Sequence, residues 1–163
     1  MRWSKLKKNV EATFTECLHG KIQIHSTCYQ CSCGRAWITV DGKELVDLST
    51  MLSGLIYQCV YHETTITNCK KHPAVKDEER IEGNLIERGE FSRFDFHKAC
   101  WNYLHSSLHD SLNNNNPLIV SLAVLNSKVG KQTLNKMLAS KLHPLTRRLI
   151  EIRLKKQYGL SNE

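Results

Sequence analysis

The Asp41-Gly42 dipeptide, placed between runs of alternating side chains, constrains the fold of this chain more than any other feature. Asp-Gly readily adopts positive φ angles at both central positions of a two-residue hairpin, so residues 43–48 are predicted to return antiparallel to a strand at 35–40. Residues 22–29 also alternate between apolar or small and polar side chains, which predicts a further, half-buried strand. The expected product is a small antiparallel sheet of about three strands.

Apolar residues at three- and four-residue steps predict helices on both sides of this sheet. An amphipathic helix is expected over residues 3–18, and Gly20 follows its end. Residues 49–72 are interpreted as a short helix and a loop, and Pro73 opens a helix that Gly89 ends. Further helices are predicted at residues 117–125, 134–139 and 144–158.

The clearest helical pattern follows Ser92, which with Asp95 resembles a capping box. Its apolar stripe keeps a four-residue step as far as Leu112, so a single helix is predicted up to that residue. Trp101 and His105 lie beside the stripe, a position from which they could face a partner.

Together these elements predict an α+β protein, with an N-terminal helix, the small antiparallel sheet and then a compact array of about five helices. A chain of 163 residues buries roughly 70% of its unfolded surface, so a single domain over residues 1–163 is expected. Residues 1–48 would form its helix-plus-hairpin subregion and residues 73–158 its helical subregion.

Neither a membrane span nor a signal peptide is expected, because no run of about 18 apolar residues occurs and the N-terminus lacks an apolar segment. A cytoplasmic location is therefore predicted. In that reducing compartment the seven cysteines are interpreted as thiols, metal ligands or reactive groups before disulfides.

Three of these cysteines, Cys28, Cys31 and Cys33, fall within six positions. Cys28 and Cys31 have the spacing of a zinc knuckle, and Cys69 with His72 would complete a Cys3His set around a structural zinc ion. A plain thiol cluster in an exposed loop is the alternative interpretation, because the second pair is not the usual pair of cysteines. A redox role is disfavoured, since a strand and not a helix N-terminus follows. Reserve ligands are His25, Cys59 and His62.

The positive charge is concentrated in the last third of the chain. Residues 128–157 hold nine Lys/Arg and one acid, so this segment accounts for the whole excess of positive charge in a chain of net charge +7. A surface of this kind attracts phosphates or an acidic protein, and the alternative is a merely solvated helix face. The candidate partner-binding or nucleic-acid-binding residues are Lys131, Lys136, Lys141, Arg147, Arg148, Arg153, Lys155 and Lys156.

The case for an enzyme rests on a set of residues that could form a hydrolytic metal site or a general acid and base: His62, Glu63, His72, Asp77, Glu78, Glu79, Glu82 and Glu90. Acids near the start of a predicted helix already have a structural explanation in the helix dipole. The chain also lacks a Gly-rich phosphate loop, a Gly-x-Ser-x-Gly elbow and a His-Glu-x-x-His motif. Catalysis is therefore disfavoured, and a metal-dependent hydrolase is kept as a second alternative.

The chain shares several short sequence motifs with a known family: HST at 25–27, GRAWITVDGKE at 34–44, GEFSRFDF at 89–96, NPLI at 116–119 and LAVL at 122–125. Over nearly its whole length the chain resembles this family of small bacterial cytosolic proteins. The resemblance implies a bacterial origin and transfers no catalytic residue, because no activity is established for the family.

The predicted function is a non-enzymatic binding module that engages a macromolecule with its basic helical face. A protein partner, such as a toxin in an immunity pair or a component of a defence system, is preferred to nucleic acid. A nucleic-acid-binding protein with a structural zinc ion is the first alternative.

Overall fold

In a computed structural model the chain is described at residues 1–28, 34–49, 82, 85–87 and 90–159. Within these ranges it forms six α-helices, one short 3-10 helix and one three-stranded antiparallel sheet, which confirms the α+β class. The predicted helix within 49–72 and most of the one predicted over 73–89 lie outside the described residues; residues 82 and 85–87 of the latter are described and are not helical. The elements are α1 (Trp3–Glu11), the 3-10 helix (Glu16–Leu18), β1 (Ile22–Cys28), β2 (Gly34–Val40), β3 (Lys43–Ser49), α2 (Arg93–His105), α3 (Leu108–Leu112), α4 (Pro117–Ala123), α5 (Lys131–Leu138) and α6 (Pro144–Tyr158).

The sheet has the predicted hairpin at its centre and the strand order β1-β2-β3. Asp41 and Gly42 both have positive φ, 50° and 80°, which is the backbone that the Asp-Gly dipeptide favours in a tight turn. Between Ile38 and Thr39 the register of β2 against β3 shifts by a bulge. The alternating side chains therefore predicted the strands, and the Asp-Gly dipeptide predicted the turn that joins β2 to β3.

The N-terminal helix is shorter than predicted, because tertiary contacts redirect the chain after Glu11. Ser127 N donates a backbone hydrogen bond to Thr13 O at 2.9 Å, and Thr15 N donates one to Leu125 O at 3.0 Å. These backbone groups would otherwise continue the helix, and the chain instead resumes as the 3-10 helix. The apolar periodicity was preserved across this change, which is why the sequence alone predicted one helix.

The long helix predicted from Ser92 to residue 112 is in fact two helices, α2 and α3. The predicted cap of α2 is present, with Asp95 N donating to Ser92 Oγ at 3.2 Å and Ser92 N donating to Asp95 Oδ2 at 2.7 Å. The same arrangement recurs at Ser107, whose Oγ accepts from Asp110 N at 3.0 Å. This second cap begins a new helix where the predicted one would have continued.

The chain divides into two compact units. The sheet unit is Ile22–His97, which holds the three strands and the first turn of α2, and the helical unit is Met1–Lys21 together with Lys98–Glu163. Residues 1–21 therefore belong with the C-terminal helices, whereas the predicted subregion 1–48 grouped them with the hairpin. The expectation of a single domain stays a prediction.

Helix α6 is the longest element of the helical unit and packs against α4, α5 and the 3-10 helix. Its first residue is Pro144, and Gly159 follows its end with φ of 65°, as the sequence predicted. Most of its side chains are buried, Leu145 and Leu149 completely. This helix therefore supplies much of the core of the helical unit.

Candidate functional site

The predicted zinc site can be examined at only one of its four ligands. Cys28 is exposed at the last position of β1, whereas Cys31, Cys69 and His72 lie outside the described residues. Among the residues that the structure does describe, no group of three His, Cys, Asp or Glu side chains is arranged to hold a metal ion. The reserve ligand His25 hydrogen-bonds through Nε2 to Thr39 Oγ1 at 2.9 Å. The zinc proposal therefore stays a prediction.

One face of the sheet carries a charged and aromatic cluster. The Arg35 guanidinium lies 4.5 Å from the centre of the Trp37 ring, and His25 on β1 stacks on the same indole at 5.1 Å. Arg35 Nε donates to Asp47 Oδ1 at 3.0 Å, and its Nη2 forms an ion pair with Glu44. The Asp47 side chain has no solvent-exposed surface, so this cluster is a buried ion network that fixes three strands side by side.

On the other face of the sheet, Ser26 joins two side chains of α2. Arg93 Nε donates to Ser26 Oγ at 3.0 Å, and His97 Nε2 lies 2.8 Å from the same oxygen. Arg93 can only donate, whereas His97 Nε2 accepts the serine proton in one neutral tautomer and donates to the serine oxygen in the other. Gly34 permits this approach, because a Cβ there would lie 2.7 Å from Arg93 Cδ and 2.2 Å from Thr27 O.

A serine hydrogen-bonded to a histidine is also the arrangement of an activated nucleophile and its base. Here, however, burial and the nearby Arg93 charge lower the pKa of His97 from 6.5 to about 4. A general base works best when its pKa is near the operating pH, so His97 is a weak base at neutral pH. The geometry supports a fastening of α2 to β1 within the sheet unit, and it gives little support to catalysis.

This lowered pKa predicts acid sensitivity of the sheet unit. The folded state holds His97 neutral down to pH of about 4, whereas the unfolded state protonates it near 6.5, so stability is full above 6.5 and is lost as the pH falls towards 4. Because His97 is half-buried, solvent screening holds this loss to about 1 to 2 kcal/mol. Replacing His97 by Gln should flatten the pH dependence of urea unfolding between these values.

The matched control for this measurement is His109→Gln, because the His109 side chain is 86% exposed. We expect the control to retain the wild-type pH dependence. Equal slopes for wild type and His97→Gln would show that His97 is not the group that titrates.

In the helical unit, the candidate basic residues occupy three different environments. Lys136, Lys141 and Lys155 are exposed to solvent, and within the described ranges no carboxylate lies within ion-pair distance of any of them. These three exposed lysines are termed the basic surface below. They are the candidates most available to a partner.

Four further candidates are partly occupied by contacts within the helical unit. Lys131 Nζ lies 5.0 Å from the centre of the Tyr158 ring, and Arg148 Nη1 donates to Glu151 Oε2 at 3.2 Å. Arg147 donates to the carbonyls of residues 138 and 140 at 3.1 and 3.0 Å, which caps the C-terminal end of α5. Lys156 is half-buried and also takes part in an interaction within the protein. These side chains add positive potential and have less freedom to contact a ligand.

Arg153 is a correction to the predicted binding set, because its side chain is completely buried. Its guanidinium donates to the backbone carbonyls of Val124, Asn126 and Val129, the last two at 3.0 and 2.6 Å, and its Nε donates to Gln157 Oε1 at 3.1 Å. Burial lowers the pKa of this guanidinium, yet arginine remains charged. Arg153 therefore organises the loop after α4 and does not face a partner.

Sequence reasoning missed the Ser26–His97 contact because 71 positions separate the two residues. A signal was present, since Ser26 is a polar residue on the apolar side of an alternating strand. Arg153 gave a similar signal, because it lies among buried positions of α6. In both cases a polar residue at an inward position marked a buried hydrogen-bond partner.

Within the described ranges, a three-stranded antiparallel sheet, six α-helices, a buried ion network and the exposed lysines of the helical unit define an α+β protein. No helix in the described part of the chain is both long enough and apolar enough to cross a membrane. The chain belongs to the SF0329 protein family, whose family model matches residues 2–154. Comparison with curated proteins and with solved structures found no match.

Proposed function

We propose that the protein is a non-enzymatic binding module of the bacterial cytoplasm, and that its helical unit engages an anionic macromolecule. The bacterial and cytoplasmic parts of this proposal rest on the sequence motifs that resemble those of the family and on the composition of the sequence. The binding part rests on one observation, the strong positive charge of the helical unit.

The charge is unevenly divided between the two units. Residues 1–21 and 98–163 carry fifteen Lys/Arg and five Asp/Glu, a formal charge of +10, whereas residues 22–97 carry eight and eleven, a formal charge of −3. Uncompensated charge of this size on a folded unit creates a potential that attracts phosphate groups or carboxylates. The exposed lysines of the basic surface are one part of this charge that is available for contact.

The described site that most resembles a catalytic one is poorly suited to catalysis, and this supports a non-enzymatic role. The Ser26–His97 pair has the distance of a nucleophile and its base, but the low pKa of His97 opposes proton abstraction at neutral pH. The pair also has a sufficient structural role, since it links α2 to β1 within the sheet unit.

The experiment compares two variants that lose the same charge. The test variant replaces Lys136, Lys141 and Lys155 with Gln. The control replaces Lys5, Lys8 and Lys43 with Gln, three lysines that are also exposed but lie outside the lysine-rich segment 128–157 to which the proposal assigns the contact. Binding of fluorescent oligonucleotides and of polyglutamate is measured by anisotropy at several salt concentrations.

We expect affinity of the wild type for oligonucleotides to fall steeply with salt, and the test variant to show a slope shallower by about 2 to 3. The control variant should bind nearly as the wild type does. Identical behaviour of test and control variants, or no binding of either polyanion by the wild type, would overturn the proposal.

A further inference from the structure

Helix α2 presents an aromatic and basic stripe to solvent in the helical unit. Lys98, Trp101 and His105 are spaced by three and four residues, which places them on one face of the helix over about 10 Å. All three are exposed, and the indole of Trp101 is 42% accessible. The opposite face of the helix is buried through Cys100 and Tyr103, so the exposure of Trp101 does not result from poor packing of α2.

The two rings of this stripe are stacked face to face, so that each has one outer face left for a ligand. The imidazole of His105 stacks on the indole of Trp101 with centroids 4.0 Å apart and planes 24° apart. His105 Nδ1 lies 2.7 Å from the carbonyl oxygen of Trp101, so this nitrogen carries the proton and donates it. The hydrogen bond fixes the imidazole and, through the stack, restricts the indole. Little side-chain entropy remains to be lost when a ligand stacks on this surface.

The surroundings of the stacked rings favour a negatively charged ligand. Residues 98–105 contain no Asp or Glu, and Lys98 lies one turn from the indole. The unit to which they belong has a formal charge of +10. A ligand that combines flat rings with regularly spaced negative charge is complementary to this stripe in both shape and charge.

We infer that the Lys98–Trp101–His105 stripe is a stacking platform for single-stranded nucleic acid, an inference that rests on the proposed function and names its partner class. Trp101 stacks on an unpaired base, and Lys98 contacts a neighbouring phosphate. In a duplex both faces of each base are already stacked, so the platform discriminates between single and double strands. The recognition is tolerant of sequence, because every base has a π face.

An exposed tryptophan is also typical of the energetic centre of a protein–protein interface. The stripe favours nucleic acid over a protein partner because lysine is depleted from protein–protein interfaces, whereas Lys98 lies one turn from this indole. An acidic protein segment is the competing occupant, and the test includes it.

The test measures three probes against three variants of the full chain. The probes are fluorescein-labelled oligo(dT), a duplex of oligo(dT) with oligo(dA), and labelled polyglutamate. The variants are Trp101→Ala, Trp101→Phe and Tyr158→Ala, the last being a control because Tyr158 is a 39% exposed aromatic on another helix of the same unit. Thermal melting verifies that each variant is folded.

For oligo(dT), we expect Trp101→Ala to weaken binding by about 5- to 150-fold and Trp101→Phe to weaken it less, because a phenyl ring still stacks. Binding of the duplex should change by less than about twofold, since it depends on charge. Tyr158→Ala should bind oligo(dT) as the wild type does.

The outcomes separate this inference from the proposed function. If Trp101→Ala binds oligo(dT) unchanged, or loses single strand and duplex equally, the platform is disproved while the basic surface still stands. A selective loss of polyglutamate binding would also disprove it and would assign the stripe to a protein partner. If the wild type binds none of the three probes, both proposals fail.

Discussion

Replacing Arg153 with Met is expected to lower the free energy of unfolding by about 4 kcal/mol, measured by urea titration. The substitution removes the donors for three backbone carbonyls, those of Val124, Asn126 and Val129. Asn126 O keeps its hydrogen bond from Val129 N at 3.0 Å, so the cost falls on the carbonyls of Val124 and Val129, at about 1 to 3 kcal/mol for each one left unpaired. Methionine occupies much of the same volume, so a cavity contributes little to the expected loss.

Two further substitutions test this explanation. Arg153→Lys retains the charge but offers a single ammonium where a planar fork reached three carbonyls, so we expect it to recover no more than about half of the loss. The control is Arg148→Met, which breaks a partly exposed pair with Glu151 and should cost less than about 1 kcal/mol. If Arg153→Met lowered the free energy of unfolding by less than about 1 kcal/mol, as little as the control does, the structural role of Arg153 would be contradicted.

The second large effect is expected in the sheet unit, where Asp47→Ala should lower the free energy of unfolding by about 3 kcal/mol. Asp47 is fully buried and accepts a hydrogen bond from Arg35 Nε at 3.0 Å. Its removal leaves a guanidinium that is only 12% exposed with Glu44 as its remaining ion-pair partner in the described cluster. The loss falls at the lower end of the range for broken buried pairs because Glu44 is retained.

A double-mutant cycle with Arg35→Met separates charge burial from lost packing. If the isolated charge of Arg35 causes the loss, adding Arg35→Met to Asp47→Ala should cost much less than Arg35→Met costs in the wild type. Strict additivity of the two substitutions would show that the pair does not interact, in conflict with the geometry.

The fold was predictable wherever the determinants of structure are local. The Asp41-Gly42 turn, the cap formed by Ser92 and Asp95, and Pro144 at the start of α6 are each specified by a few adjacent residues, and all are present in the structure. The end of α1 was not predictable, because it depends on backbone contacts with residues more than a hundred positions away. The break at Ser107 was predictable in principle, since Ser107 and Asp110 repeat the signature that identified the start of α2.

The candidate sites show the same division between local and distant information. Charge counting identified the basic surface, because exposed lysines on short helices need no specific partner to remain exposed. The same counting misassigned Arg153, whose burial depends on carbonyls from a loop 24 to 29 positions earlier. Trp101 and His105 were noted for their position beside an apolar stripe, but the stacking of their rings is visible only in the structure.

The backbone bonds between residues 13–15 and 125–127 also bear on how the chain folds as it is synthesised. The helical unit is discontinuous in sequence, so its first 21 residues leave the ribosome more than a hundred positions before the loop that completes their hydrogen bonding. The sheet unit is continuous and emerges between the two segments. We expect the sheet unit to fold before residues 125–127 are available to hydrogen-bond with the first segment. During this interval the amphipathic α1 is the stretch that a chaperone would bind.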